Sequence, residues 1–254
     1  MPEIVGVIQA RMGSTRLPAK VIADVCGQPM ICRIAERLRY AASLAGCIIA
    51  TSAGADCDPI REVAARNGIP CYSGSEDDLI ARLLGAARQA GADAIVRVTA
   101  DCPFADPHLI DQMSAILATR GSEIDCVLNY VPRRYPHGLD LEIYPAAFLE
   151  RLDREITEAH DREWFPPYVS TRPDRFRLGA LVCPEDLSGL RWTVDYPEDL
   201  DFCRAIYQRL WQPGAVFDMQ DMLVLLAREP ALAAINAMHA TYHAPATAPE
   251  TREG

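Results

Sequence analysis

Residues 4–10 have the sequence IVGVIQA and lead directly into a loop, ARMGSTRLPAK, at residues 10–20. The first stretch is a short apolar run, which is typical of a buried strand in a parallel sheet. The loop holds two arginines, a glycine, two hydroxyl side chains and Lys20, the only lysine among the 25 basic residues of the chain. A buried strand followed by such a loop predicts an α/β domain whose ligands bind beyond the carboxyl ends of the strands.

The loop carries chemistry suited to a multiply charged anion such as a triphosphate. Gly13 frees backbone N–H groups to line a phosphate chain, and Arg11, Arg16 and Lys20 supply neutralising charge. A compact ammonium and a planar guanidinium bind anions differently, so a single lysine kept among arginines favours a functional position. A plain basic surface loop is the alternative. The loop matches neither G-x-x-x-x-G-K-[ST] nor G-x-G-x-x-G.

The first half of the chain alternates between strand and helix patterns. Strands are predicted at residues 4–10, 47–51, 69–72, 93–99 and 125–129, and helices at 29–40, 58–67, 76–90 and 107–120. Asp58 and Asp106 each precede a proline and are predicted helix caps. This alternation indicates a mostly parallel sheet with helices on both faces.

The pattern changes after residue 130. A turn rich in Pro and Arg at 131–138 precedes a strand at 139–144 that we expect in a different, antiparallel unit. Further predictions are helix over 145–170, strands at 176–182 and 190–194, and helices at 197–210, 218–227 and 231–240. The last residues, 244–254, are rich in Ala, Pro, Thr and Glu, a composition typical of a disordered tail.

Bulk composition limits the classes of function. A chain of 254 residues that is 50% hydrophobic can bury the core of one large domain, which we place at residues 1–243. Its net charge of −10 argues against nucleic acid and anionic membranes as partners, so an anionic substrate needs a local cluster of cations. With no signal peptide, no long apolar run and no C-x-x-C among nine cysteines, we expect a cytoplasmic protein.

Two aspartates are candidate metal ligands. Asp101 directly follows the fourth predicted strand, and Asp195 follows the strand predicted at 190–194; each precedes a proline turn. If the two strand ends meet, the carboxylates could hold Mg²⁺ beside the phosphates. Helix capping is the alternative for both.

Two other polar segments leave alternatives open. In residues 133–142 (RRYPHGLDLE), two arginines, a tyrosine, a histidine and two carboxylates suit either an acidic second substrate or a dimer contact. Asp78 and Arg82 are one helical turn apart, which favours an ion pair between them.

Six segments together resemble the cytidylyltransferase family, which includes the CMP-KDO and CMP-acylneuraminate synthetases. The most similar subgroup is that of the spore coat polysaccharide biosynthesis protein F. The segments are residues 8–20 (IQARMGSTRLPAK), 50–52 (ATS), 74–79 (GSEDDL), 99–103 (TADCP), 135–140 (YPHGLD) and 192–199 (WTVDYPED). The match covers about residues 3–210.

The resemblance implies a nucleotide-diphospho-sugar transferase fold, Rossmann-like, with a small β subdomain at about residues 130–190 that forms the contact of a homodimer. It also implies CMP transfer from CTP to a small acidic or phosphorylated acceptor, with Mg²⁺ as cofactor. The implied catalytic residues are Lys20, Arg11, Arg16 and Asp101, and the metal ligands are Asp101 and Asp195. The implied nucleotide-binding residues are Ala10, Arg11, Gly13, Ser14, Lys20, Ala50, Thr51, Ser52 and Arg82. The implied acceptor-binding residues are Tyr135, His137, Asp140 and Glu142.

The chain departs from the family pattern at two positions. Ala19 stands where a glycine is usual, and Trp164 stands where the subgroup typically has a histidine. A glycosyltransferase of the same fold is a second hypothesis, although Ala100-Asp101-Cys102 offers one carboxylate where such enzymes usually have Asp-x-Asp. A non-catalytic nucleotide-binding partner is a third. We expect Lys20 to be an exposed loop side chain that contributes more to turnover than to stability.

Overall fold

The apolar run at the start of the chain forms a strand near the middle of a seven-stranded sheet. A computed structural model describes residues 2–240. Its strands are β1 Ile4–Gln9, β2 Asp24–Val25, β3 Gln28–Pro29, β4 Leu44–Ser52, β5 Cys71–Gly74, β6 Ala94–Thr99, β7 Cys126–Leu128, β8 Glu142–Pro145 and β9 Leu178–Ala180. The sheet has the order β5-β4-β1-β6-β8-β7-β9, while β2 and β3 form a separate ribbon. Within the seven-stranded sheet, only β8 runs antiparallel to its neighbours, so the mostly parallel α/β fold is confirmed.

Helices cover both faces of this sheet. They are α1 Met30–Leu38, α2 Asp58–Arg66, α3 Leu79–Ala90, α4 Pro107–Arg120, α5 Ala146–Glu155, α6 Ala159–Glu163, α7 Phe165–Ser170, α8 Pro197–Leu210 and α9 Met219–Arg228. Short 3₁₀ helices lie at Lys20–Ile22, Ala55–Cys57 and Ala237–His239. Each described helix is too short to cross a membrane as an apolar span.

Side-chain alternation along β1 divides the core into two clusters. Ile4 and Ile8 pack in one cluster with residues of α1, α4 and α8, whereas Val5 and Val7 pack in the other with residues of α3 and α5. Alternate residues of a strand point to opposite faces, so a run that is apolar at nearly every position is buried on both sides. The core therefore lies on both faces of the strand that leads into residues 10–20, named the phosphate loop for its predicted role.

The strand predicted at 139–144 is not part of a separate unit. The observed strand in this region, β8, lies between β6 and β7 in the main sheet and is antiparallel to both. The register places Glu142 of β8 opposite Arg97 of β6. Only the three-dimensional pairing shows this, because the two residues are far apart in sequence.

Three other predictions of secondary structure are wrong in detail. Residues 190–194 form no strand: one parallel bridge joins Arg191 to His137. The helix predicted over 145–170 is three helices, and Pro166 begins a new first turn in α7, where a missing N–H is tolerated. Within 231–240, only Ala237–His239 is helical. The predicted disordered tail at 244–254 lies outside the described residues.

The predicted caps have different outcomes. The Asp106 carboxylate accepts hydrogen bonds from the backbone N–H groups of His108 and Leu109 and caps α4, as predicted. Asp58 is itself the first residue of α2 and does not cap it. The Asp58 carboxylate instead accepts a hydrogen bond from Arg61 Nε at 3.1 Å.

Candidate active site

Lys20 brings three distant parts of the chain together. Its Nζ donates hydrogen bonds to the Val194 carbonyl at 2.7 Å and to the carboxylates of Asp195 and Asp101 at 2.8 and 3.3 Å. The residue is only 9% exposed and is the first residue of the 3₁₀ turn Lys20–Ile22. The expectation of an exposed lysine is therefore wrong. Its pairing with both predicted metal ligands is the central feature of the site.

The ionic state of this cluster follows from its contacts. Burial lowers the Lys20 pKa, but the carboxylates of Asp101 and Asp195 outweigh burial and raise it above its ordinary value. Burial likewise raises the Asp195 pKa, but the bond from Lys20 and the charges of Lys20, Arg16 and Arg191 lower it overall. Both groups are consequently charged at neutral pH.

Asp195 does not cap the following helix. Arg16 contacts its Oδ1 at 3.0 Å, and Arg191 contacts its Oδ2 at 3.3 Å. Asp199 performs the capping role, because its Oδ2 accepts bonds from the backbone N–H groups of Asp195 and Tyr196 at 2.9 and 3.0 Å. The Asp195 carboxylate is thereby left to face the cations of the site.

Asp101 likewise has no capping role. Its backbone carbonyl accepts bonds from the Val194 N–H and the Thr193 hydroxyl at 2.9 and 3.1 Å, which tie the turn after β6 to the segment before Asp195. The cap of α4 is Asp106, five residues later. The Asp101 carboxylate therefore caps no helix and accepts a hydrogen bond from Lys20.

These carboxylates fit a divalent cation. Asp101 and Asp195 already share one positive charge, the ammonium of Lys20, so their oxygens converge on one place. Mg²⁺ is usually held by one or two carboxylates, with water and substrate phosphates completing its shell. Among residues 2–240, no group of three or more His, Cys, Asp or Glu side chains is gathered for a metal. The donor set thus suits an ion that arrives with phosphates.

The loop before Lys20 is largely exposed. Gly13 is exposed and a Cβ there would meet open space, while the Ser14 hydroxyl accepts a bond from the Leu17 N–H at 3.3 Å. Ala10 is buried, and its N–H bonds to the Ala50 carbonyl at 3.0 Å. The start of the loop is therefore anchored to β4, and its tip is open to a ligand.

The predicted base-binding residues at the end of β4 are fully buried. Ala50, Thr51 and Ser52 each have 0% exposure. The Ser52 hydroxyl contacts the Cys57 thiol at 3.0 Å, and the Ser52 carbonyl accepts a bond from Arg61. These three side chains are therefore buried, and the backbone of Ala50 anchors the start of the loop.

Arg82 is buried but does not pair with Asp78. Its Nη1 donates to the carbonyls of Ser75 and Glu76, and its buried Nε has no hydrogen-bond partner among the residues described. Burial, followed by repulsion from nearby arginines, lowers its pKa. Asp78 instead bonds to Arg162 Nε at 2.7 Å. The predicted Asp78–Arg82 ion pair is wrong.

A cavity of about 760 Å³ opens beside the phosphate loop. Arg11 and Arg82 line it together with residues of β6 and β8 and of the turn between α6 and α7. Its charged and aromatic lining residues are Arg11, Arg82, Arg97, Tyr130, Arg133, Asp140, Glu142, Glu163 and Trp164. Of the predicted nucleotide-binding residues, Arg11 and Arg82 line this cavity, whereas Ala50, Thr51 and Ser52 of β4 do not.

The predicted acceptor residues divide into two groups. Asp140 and Glu142 line this cavity, and Asp140 pairs with Arg133 at 2.6 Å. Tyr135 is 3% exposed and packs in the hydrophobic core, where burial raises its pKa to about 12. His137 is near the Lys20 cluster through its bridge to Arg191, and burial lowers its pKa.

A buried network supports the cavity floor. Glu142 accepts bonds from Arg97 Nη1 at 2.6 Å and from the Tyr130 hydroxyl at 2.7 Å, while Arg97 Nε donates to Gln9 at 2.7 Å. Glu142 is 4% exposed, and removing one partner of so buried a pair leaves the other charge uncompensated. This network fixes the orientation of Glu142.

Comparison with known proteins places this site in a family. A family model described as cytidylyltransferase matches residues 5–171 of the chain. The chain belongs to the cytidylyltransferase family. The matched range contains the phosphate loop, Lys20 and Asp101, whereas Asp195 lies beyond it. The predicted family resemblance and nucleotidyltransferase activity are thereby confirmed.

Individual members of the family extend the match over nearly the whole chain. Spore coat polysaccharide biosynthesis protein SpsF of Bacillus subtilis is 30% identical, with 91% of this chain and 96% of that protein covered. The 3-deoxy-manno-octulosonate cytidylyltransferase of Leptothrix cholodnii is 34% identical over 70% of this chain and 64% of its own. A cytidylyltransferase structure from Leptospira borgpetersenii superposes with a TM-score of 0.86 at 29% identity, covering 92% of this chain and 97% of that one.

Both departures from the family pattern lie at the site. Ala19 adopts a left-handed backbone, with φ of 59°, directly before Lys20. This conformation suits glycine and costs an L-residue with a side chain. Trp164 is 50% exposed and lines the cavity. The first departure therefore changes the backbone of the loop, and the second changes the wall of the cavity.

Three charged residues of this site are not among the site residues predicted from the sequence. Arg97 interrupts the otherwise apolar strand β6, and a charge within a buried strand was the available signal. Arg191 and Asp199 form a bidentate pair at 2.9 and 2.7 Å behind Asp195. Nothing in the local sequence distinguishes these two from solvent-exposed charges.

Proposed function

We propose that this nucleotidyltransferase moves CMP from CTP to a small hydroxylated, anionic acceptor and releases pyrophosphate. The observation that carries the proposal is the meeting of Lys20, Asp101 and Asp195 at the end of the phosphate loop. An acceptor oxygen attacks the α-phosphorus, and the bond from that phosphorus to the pyrophosphate oxygen breaks. Such a transfer needs positioning and charge neutralisation more than covalent help from the protein.

The residues of the site divide the work. Arg16 and Lys20 bind the phosphates, together with backbone N–H groups around Gly13 and Ser14. Asp101 and Asp195 would hold Mg²⁺, which would supply positive charge to the triphosphate and lower the pKa of a bound hydroxyl. The guanidinium of Arg82, which lines the cavity, is assigned to a carbonyl or hydroxyl oxygen of the nucleoside.

The acceptor occupies the cavity lined by Asp140 and Glu142. Both carboxylates are held by arginines, at 2.6 Å in each pair, so they are oriented to accept hydrogen bonds from acceptor hydroxyl groups. The 30% identity to a spore coat polysaccharide biosynthesis protein supports a surface polysaccharide precursor as the product.

The competing hypotheses have less support. Membership of the cytidylyltransferase family counts against a glycosyltransferase, which would release a nucleotide and not pyrophosphate. Membership of a family of enzymes likewise counts against a non-catalytic nucleotide-binding partner.

The test begins with thermal unfolding in the presence of CTP, UTP, ATP or GTP, with and without Mg²⁺. A ligand of the native state raises the midpoint by mass action, so the acceptor need not be known. We expect a shift with CTP that Mg²⁺ increases and that Asp195→Asn abolishes. Pyrophosphate release is then measured across a panel of sugar acids and phosphorylated polyols. A nucleotide sugar that shifts the midpoint when no triphosphate does would refute the proposal.

A further inference from the structure

One part of the cavity wall is apolar. Trp164, directly before α7, lines it together with Pro166 and Pro167 of the first turn of α7, and Val131 and Pro132 add to it. Trp164 is one of the few large hydrophobic side chains left 50% exposed among the described residues. A half-exposed indole in a concave site is a surface that a bound apolar group covers.

The charged part of the wall is mostly paired. Four arginines and three carboxylates line the cavity: Arg11, Arg82, Arg97, Arg133, Asp140, Glu142 and Glu163. The contact between Arg11 and Glu163 is the longest of the three ion pairs, at 3.4 Å, and both side chains are partly exposed. The excess of one positive charge suits an acceptor with one negative charge.

The apolar wall begins beside the phosphate loop. Glu163, which contacts Arg11 of the loop, is the immediate neighbour of Trp164. An acceptor that places its reacting oxygen near the loop therefore extends its other substituents along Trp164. Hydroxyl groups there would lose water without gaining a polar partner, whereas an acyl or methyl group would gain contact.

We propose that Trp164 is a specificity-determining residue, which selects a hydroxy acid with an apolar substituent, such as an N-acyl or C-methyl group, over a fully hydroxylated one. This inference rests on the proposed function. An added methyl or methylene group in an apolar pocket changes selectivity by about 10-fold or more. The same contact should be kept by phenylalanine and lost with serine.

The test compares two probes, N-acetylneuraminate and 3-deoxy-manno-octulosonate, by pyrophosphate release with CTP and Mg²⁺. We expect the wild type to prefer the N-acyl acid by about 10-fold or more in kcat/KM. Trp164→Phe should keep this preference, and Trp164→Ser should lose it with an unchanged KM for CTP. Trp211→Phe, remote from the cavity, is the matched control.

Two results distinguish a failure of the proposed function from a failure of the role proposed for Trp164. If CTP neither binds nor releases pyrophosphate with any acceptor, the proposed function fails and the inference fails with it. If CTP binds, but the N-acyl probe is refused or Trp164→Ser leaves the preference unchanged, the inference alone is overturned.

A second inference concerns Asn236, far along the chain from the family motifs. Its side chain is 3% exposed, and its Nδ2 donates to Asp199 Oδ1 at 2.9 Å and to the Arg191 carbonyl at 3.1 Å. Asp199 and Arg191 are the pair behind Asp195. The chain of contacts runs from Asn236 through this pair to Asp195 and on to Lys20.

The segment around Asn236 also contacts the turn that carries Asp195. The His239 ring stacks on Tyr196 with centroids 4.0 Å apart, and Arg16 lies over the same Tyr196 ring at 5.1 Å. His239 Nε2 is also 3.1 Å from the carboxylate of Glu198. We infer that Asn236 is a positioning residue, which holds Asp199 and Arg191 so that the Asp195 carboxylate keeps its orientation.

The test measures Mn²⁺ binding to the CTP complex by electron paramagnetic resonance. Outer residues that orient metal ligands typically contribute about 10-fold to metal affinity. We expect Asn236→Ala to weaken Mn²⁺ binding by about this factor and to raise the KM for CTP. Asn67→Ala, which also loses an amide-to-carbonyl bond at 2.8 Å, should change neither.

Asn236→Asp provides a second variant if the alanine variant does not fold. It keeps the shape of the side chain but replaces the donor with a charge beside Asp199, so Mn²⁺ binding should weaken again. Unchanged Mn²⁺ affinity in a folded variant of either kind overturns the positioning role.

Discussion

Replacement of Lys20 by methionine separates its contribution to turnover from its contribution to stability. Methionine keeps most of the buried stem but removes the ammonium and its bonds to Val194, Asp195 and Asp101. A hydrogen bond to a charged group contributes about 1.5–3 kcal/mol to stability. Asp195 keeps Arg16 and Arg191, and Asp101 can hydrate, so we expect a net loss of about 2 kcal/mol.

The expected effect on catalysis is larger. Loss of one positioned donor to a developing charge lowers kcat by about 10²–10³-fold. Turnover is measured as pyrophosphate release, and the free energy of unfolding comes from urea denaturation of the same preparations.

Arg33→Met is the matched control. Arg33 is 1% exposed and bonds to the carbonyls of Val25 and Cys26 and to Glu36, so it resembles Lys20 in burial and partners but lies outside the site. We expect it to lose comparable stability while the folded protein keeps its turnover. Turnover of the Lys20 variant within threefold of the wild type, or an equal loss in both variants, would refute the assignment of Lys20 to the phosphates.

Three further outcomes follow from the same contacts. Ala19→Gly should raise the free energy of unfolding by up to about 1 kcal/mol in urea, because the residue has a φ of 59°; a loss of stability would contradict this. Gly138→Ala should destabilise by about 3 kcal/mol or more in thermal unfolding, since φ is +107° and the added Cβ would clash with the backbone nitrogen of Thr193. Because burial lowers the His137 pKa, the unfolded chain binds the proton more readily, and the free energy of unfolding should fall as pH drops below about 6.5. The His137→Asn variant should show a shallower fall between pH 7 and 5 in urea; an identical pH dependence would contradict the lowered pKa.

Local sequence patterns were sufficient to predict several strands and helices around the site. The apolar run of β1, the proline after Asp106 and the glycine that ends α3 at Gly91 are properties of short stretches, and each was predicted near its observed position. The family motifs likewise placed Lys20, Asp101 and Asp195 at one site before any contact was known. These signals are local because strand burial and helix caps depend on neighbours within a few residues.

Other features depend on partners that are distant in sequence. The apolar residues around Trp192 predicted a strand, yet the segment makes one bridge to His137 and serves to place Asp195 beside Asp101. The ion pair predicted for Arg82 was wrong because Asp78 found a better-placed guanidinium in Arg162, 84 residues away. Helical spacing shows which side chains of one helix can form an ion pair. It does not show which oppositely charged side chains the fold brings close from elsewhere in the chain.

By itself, the sequence determined the alternation of strands and helices, the phosphate loop and the chemical types present at the site. Only the tertiary structure decided that Lys20 is buried between two carboxylates, that Glu142 faces Arg97, and that Asn236 supports Asp199. The physical reason is range. Hydrophobic period and turn chemistry act within a few residues, whereas the pairing of a buried charge depends on which strands and loops the whole fold brings within about 3 Å of it.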